Sequence, residues 1–135
     1  MASQIKTETR PIATEVDVVQ VRQAVRSWTM ELGFGLVDQT KMITAASELA
    51  RNTLVYGGGG TVRLDQLLDY PRRGLRLTFE DQGPGITDVG QALRDGFTTG
   101  KGLGLGLGGA RRLVNEFEID SWPGKGTRVI ITRWK

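Results

Sequence analysis

Three short stretches of the chain combine residue types with a capacity for chemistry. In Ser47–Asn52, SELARN, Glu48 and Asn52 stand four residues apart, so on a helix they share one face and offer a carboxylate and an amide oxygen side by side. Such oxygens suit a hard cation such as magnesium, and the same spacing also suits a solvated helix edge. In Asp81–Ile86, DQGPGI, a strand-like run ends in a carboxylate followed by Gly83, Pro84 and Gly85. A carboxylate at a strand tip accepts a hydrogen bond from an exocyclic amine, and glycines let backbone approach a flat ring; a tight surface turn uses the same residues. In Gly100–Leu113, GKGLGLGLGGARRL, glycines 102, 104, 106 and 108 alternate with Leu103, Leu105 and Leu107 beside Lys101. Free backbone N–H groups ahead of a helix are what a chain needs to wrap phosphates, and leucines in place of linker serines imply an apolar surface to cover, as in a mobile lid. The stretch is not GxxxxGK[ST], and it neither follows a predicted strand nor precedes a suitably spaced acid, so P-loop and Rossmann turns fit poorly.

The elements that must position these residues follow from periodicity. Gln4–Ile12 has the pattern of an edge strand. Apolar residues at Val18, Val21, Val25, Trp28 and Leu32 recur at helical spacing. After the turn GFG, Asp38 is expected to N-cap a second helix with Met42, Ala46, Leu49 and Thr53 on one face, stopped by glycines 57–60. TVRLDQLL and GLRLTFED, separated by DYPRRG, predict an antiparallel hairpin. A short helix around Val89–Arg94 is expected next, then a helix beginning near Gly109, and FEIDSW, PGKG and TRVIITRW predict a strand, a turn and a final strand. Segregated helices and strands give an α+β chain, a two-layer sandwich with helices on one face of a mixed, mainly antiparallel sheet.

Composition narrows the function classes. With 135 residues, 39% hydrophobic and 24% charged, the chain has the size and balance of a single globular domain spanning 1–135. A net charge of +3 with acids and bases mixed along the chain gives little reason to expect nucleic acid. The absence of cysteine removes disulfides and thiolate metal sites, and the absence of histidine removes autophosphorylation on that residue. No run approaches a membrane span and the N-terminus has no signal-peptide core, so no membrane partner and a cytoplasmic location are expected.

Taken in order, ExxxN, DxGxG and GxGxG are far more specific than any one of them. The chain resembles the GHKL (Bergerat-fold) ATPase and kinase superfamily, with an N box at Ser47–Asn52, a first glycine box at Asp81–Ile86, a second at Gly102–Leu107 and a closing Gly126-Thr127 pair. Within it the chain is similar, over essentially its whole length, to the short serine/threonine kinases of bacterial partner switching, the RsbT type associated with stressosomes. That resemblance implies ATP and Mg2+ as cofactors, Glu48 as the base acting on the attacking hydroxyl, and Asn52 as the magnesium ligand. It also implies Asp81 reading the adenine amine with Thr127 assisting, Gly83, Gly85 and Ile86 along the base, and a lid from Lys101 and Gly102 to Gly108, followed by a helix whose positive end faces the phosphates. The implied partners are a STAS-domain antagonist as substrate, a PP2C-type phosphatase to be activated, and a stressosome scaffold. The alternatives are an anti-sigma kinase that sequesters a sigma factor, and a module that binds ATP without transfer. Arg51, Arg111 and Arg112 fit phosphate contact, partner contact or plain surface charge.

Overall fold

A computed structural model describes residues 3–86, 89–93 and 107–135. The elements are β1 (Ser3–Ile12), α1 (Glu15–Glu31), α2 (Leu36–Val55), β2 (Gly60–Asp69), β3 (Arg72–Asp81), α3 (Val89–Ala92), α4 (Leu107–Arg112), β4 (Glu116–Trp122) and β5 (Gly126–Trp134). The strands form one five-stranded sheet in the order β1-β2-β3-β5-β4, and all four pairings are antiparallel, so the expected mixed component is not found among the described residues. β1 takes the edge, as expected, with a register shift between Gln4 and Lys6.

Alternation along the strands explains the two layers. On β3, Leu75, Leu77 and Phe79 are buried on the helix side, while Arg76 and Glu80 alternate to the open side. α1 and α2 lie over the first set. The buried residues of α1, Val18, Val21, Val25 and Trp28, and those of α2, Met42, Ala46, Leu49 and Thr53, are the predicted faces. Ala45, Ala46 and Ala50 are fully buried, and their small side chains let α2 come close to its neighbours. Each large apolar side chain removed from water in this layer contributes about 1.5–3 kcal/mol. The open face is held by polar contacts instead: Asp65, fully buried, accepts from Thr7 Oγ1 at 2.6 Å and Arg63 Nε at 3.0 Å, which meets the cost of burying its charge.

Helix ends show where local reasoning succeeded and where it did not. Thr14 caps α1: its side chain accepts from Asp17 N at 3.2 Å, and Asp17 Oδ2 accepts from Thr14 N at 3.1 Å. Asp38, the expected cap of α2, is instead inside its first turn; the N-cap is Gly35, in extended conformation, and the helix begins at Leu36. Asp38 is drawn away by a tertiary partner, Arg133 of β5, whose other guanidinium nitrogen donates to Leu113 O at 2.8 Å. The glycine stop of α2 is as predicted, with Gly58 and Gly59 at positive φ. Arg72 and Arg73 belong to β3 rather than to the hairpin turn, because the β2–β3 pairing extends to Asp69 and Arg72. Among the described residues α4 spans Leu107–Arg112, so it is already helix at Leu107, ahead of the start expected near Gly109, with Leu107 drawn into the core at 3% exposure. The expected end of the lid, Leu107 and Gly108, is therefore buried helix rather than flap.

Candidate functional site

Asp81 is the last residue of β3, opposite Gly60 on β2 and Thr127 on β5. Its half-buried carboxylate accepts from the backbone N–H of Gly83 at 2.9 Å. Burial pushes its pKa above the ordinary carboxylate value, and the N–H groups of Gly83 and Thr127 oppose that shift by stabilising the ionised form. The loop that follows is clamped at two points: Ile86 N donates to Ser121 Oγ at 2.6 Å, and Gly124 N donates to Pro84 O at 2.7 Å. Ser121 Oγ also lies 2.9 Å from Thr127 Oγ1.

The glycines here have a packing role besides any approach of a ligand ring. A Cβ at Gly57 would lie 2.3 Å from Asp81 Cβ, and one at Gly83 would lie 2.7 Å from Gly57 Cα, so the end of α2 and the loop after β3 meet backbone to backbone around the carboxylate. Gly85, at φ +77°, has room for no side chain against Trp122 O.

These elements enclose one pocket. Leu49, Phe79, Leu107 and Val129 give it apolar walls, Pro84, Gly85 and Ile86 form one side, and Asn52, Thr53, Asp81 and Thr127 supply polar groups. Tyr56 and Gly57 complete the wall at the end of α2. Of the predicted residues, the fold thus brings together Asn52, Asp81, Gly85, Ile86, Leu107 and Thr127 around one pocket. Gly83 stands behind Asp81. Glu48 is half-buried one helical turn before Asn52 and is not part of the wall. Lys101, Gly102, Leu103, Gly104, Leu105 and Gly106 lie outside the described residues. Arg51 is exposed and pairs with Glu15 of α1 at 3.4 Å, while Arg111 and Arg112 are exposed on the last turn of α4. Among the described residues no three acidic, histidine or cysteine side chains cluster as a metal site.

Leu49 and Thr53 were legible as a helix face and Phe79 and Val129 only as members of strands, since nothing in periodicity distinguishes a core residue at a cavity edge. Gly57 carried only a helix-stop signal. Ser121 carried none, because its role depends on the β4–β5 register that places it opposite Thr127.

An apolar slot with an acid at a strand end and an amide on the adjoining helix is the geometry of a small-molecule binding site, and similarity to known proteins gives the class of protein that carries it. Residues 37–135 match the family described as histidine kinase-, DNA gyrase B-, and HSP90-like ATPase. The chain is 47% identical over 123 residues to the serine/threonine-protein kinase RsbT of Bacillus subtilis, covering 91% of this chain and 92% of that one. It is 28% identical over 118 residues to the anti-sigma F factor of Thermoanaerobacter sp., covering 84% and 82% respectively. A crystal structure of the RsbU and RsbW domains of a Mycobacterium tuberculosis protein shares the fold at a TM-score of 0.67 and 22% identity, covering 96% of this chain, which spans 33% of that longer one. The chain therefore belongs to the ATP-using GHKL superfamily and, within it, to the RsbT-type serine/threonine protein kinases of partner switching. No helix among the described residues is long and apolar enough to cross a membrane.

Proposed function

We propose that residues 1–135 act as one ATP-dependent kinase domain in the cytoplasm, transferring phosphate to a serine or threonine of a STAS-domain antagonist and then binding and activating a PP2C-type phosphatase within a stressosome-linked pathway. The observation that carries this reading is the convergence of Asn52, Asp81, Thr127 and Leu107, from four separate elements, on a single apolar pocket.

In this reading Asp81 accepts a hydrogen bond from the adenine amine while Phe79, Val129 and Ile86 hold the ring away from water. Asn52, on the polar side of the pocket, presents an amide oxygen that fits magnesium, a cation that takes few protein ligands and fills its shell with water and phosphate oxygens. When bound, the metal neutralises charge developing on the phosphates. The resemblance assigns the triphosphate to Lys101 and the glycine-rich stretch 102–108, of which 101–106 lie outside the described residues. Glu48 orients the acceptor hydroxyl and takes its proton as the new oxygen–phosphorus bond forms and the bond to the leaving ADP breaks. The proton then passes to solvent. Because the chain has no histidine, it cannot be its own acceptor on that residue, and in this reading the acceptor is a hydroxyl on the STAS-domain protein.

Labelled ATP, the chain and a STAS-domain protein form the test. Label is expected on a serine or threonine of the STAS protein, and nucleotide binding without transfer would leave a binding module instead. The similarity to anti-sigma F factors favours a second reading, sequestration of a sigma factor, which co-purification with purified sigma factors tests directly.

A further inference from the structure

Ser121 joins two parts of the pocket that are far apart in the chain. It lies on the helix-facing side of β4, directly opposite Thr127 of β5, and Thr127 is in turn opposite Asp81 of β3. A serine hydroxyl has one proton to give and two lone pairs to accept with. One lone pair is occupied by the N–H of Ile86 at 2.6 Å. The proton has two places to go: Thr127 Oγ1 at 2.9 Å, or Gly126 O at a long 3.4 Å. Either hydroxyl can donate in the 2.9 Å contact: with Ser121 as donor a directed chain runs from Ile86 N–H to Ser121 to Thr127, and with Thr127 as donor the Ser121 proton goes to Gly126 O. In the first arrangement the Thr127 hydroxyl accepts and keeps its own proton for the pocket it lines.

We propose that Ser121 is a specificity-determining positioning residue for the nucleotide base: by donating to Thr127 it makes the pocket present a hydrogen-bond donor beside the Asp81 acceptor. The proposal rests on the purine reading of the pocket given above. Adenine offers an exocyclic amine beside the bare ring nitrogen N1, which matches an acceptor beside a donor, directly or through one water. Guanine offers a carbonyl oxygen beside N1–H, the reverse pattern, and leaves both protein groups mismatched. With Ser121 removed, the Thr127 hydroxyl loses the partner that fixes its direction and can turn to accept, so the pocket loses its polarity on that side.

The experiment is calorimetry with ATP, GTP and 1-deaza-ATP, in which the N1 nitrogen is replaced by C–H, on the unaltered chain and on Ser121→Ala, Ser121→Thr and Asp81→Asn. The unaltered chain is expected to bind 1-deaza-ATP about fivefold more weakly than ATP, the effect of one neutral hydrogen bond. Ser121→Ala is expected to lose about the same factor on ATP, to lose little on 1-deaza-ATP, and to narrow the ATP-to-GTP ratio. Ser121→Thr, which keeps the hydroxyl, is expected to restore that ratio. Equal losses on ATP and 1-deaza-ATP with an unchanged ratio, while Asp81→Asn still binds weakly, would overturn the role of Ser121 alone. Undiminished ATP affinity in Asp81→Asn would overturn the purine reading and this proposal with it.

Discussion

Asp81, Thr127 and Ser121 come from three strands and meet because the registers of β3, β5 and β4 line them up, whereas Glu48 and Asn52 are four residues apart on α2 and share a face in any chain that forms that helix. The first group is tied together by short hydrogen bonds and by backbone contact at Gly57 and Gly83. The second is held by the buried side of one helix, through Met42, Ala46, Leu49 and Thr53. The strand-borne group is fixed by the fold as a whole, while the pair on one helix is separable from it residue by residue.

That contrast sets the order of the expected effects. Glu48→Gln is expected to lower phosphoryl transfer to the protein substrate by about 10²- to 10⁴-fold with nucleotide affinity within a small factor of the parent, read by single-turnover assays beside calorimetry. Affinity falling in step with rate would erase the separation between the two regions. Leu77→Ala, in the fully buried middle of β3, is expected to cost about 2–5 kcal/mol in denaturant unfolding and to weaken nucleotide binding as well, because the strand that carries Asp81 loses its support. Asp81→Asn is expected to weaken ATP binding by about 10- to 100-fold, the range for a hydrogen bond to a charged acceptor, without loss of stability. Thr14→Ala, which removes the cap of α1 far from the pocket, is expected to cost about 1 kcal/mol of stability and to leave affinity unchanged.

A sharper test uses pH. Burial holds the Asp81 carboxyl above its ordinary value, so the folded chain binds that proton more tightly than the unfolded one. The stability linked to it is present at low pH and lost as pH rises through the raised value. Nucleotide affinity has the opposite slope, since only the ionised carboxylate is a full acceptor, and it weakens as pH falls through the same value. The difference between the parent and Asp81→Asn, in melting curves and in calorimetry across the acid range, should show both slopes. Parallel slopes would mean that this carboxylate does not read the base.

The same contrast explains what was legible beforehand. The faces of α1 and α2 were visible because a period of 3.6 residues is a local property, and so was the SELARN pair. The β2–β3 hairpin was visible because its strands are adjacent in the chain. Ser121 was invisible because its partners, Ile86 and Thr127, are set by pairings between distant segments. Asp38 misled for the same reason: it has the chemistry of a cap, and Arg133, 95 residues away in the chain, engages it elsewhere. Local signals fail where a tertiary partner competes for the same side chain.

The contact of Gly57 and Gly83 around Asp81 has one more consequence. Where the pocket is bounded by main chain, around Gly57 and Gly85, it has no rotamers with which to adapt, whereas its walls of Leu49, Phe79, Leu107 and Val129 do. Changing what the pocket accepts would take new side chains at lining positions such as Leu49, Phe79 and Val129, while descendants of this chain would inherit the main-chain contour around Asp81 along with the sheet itself.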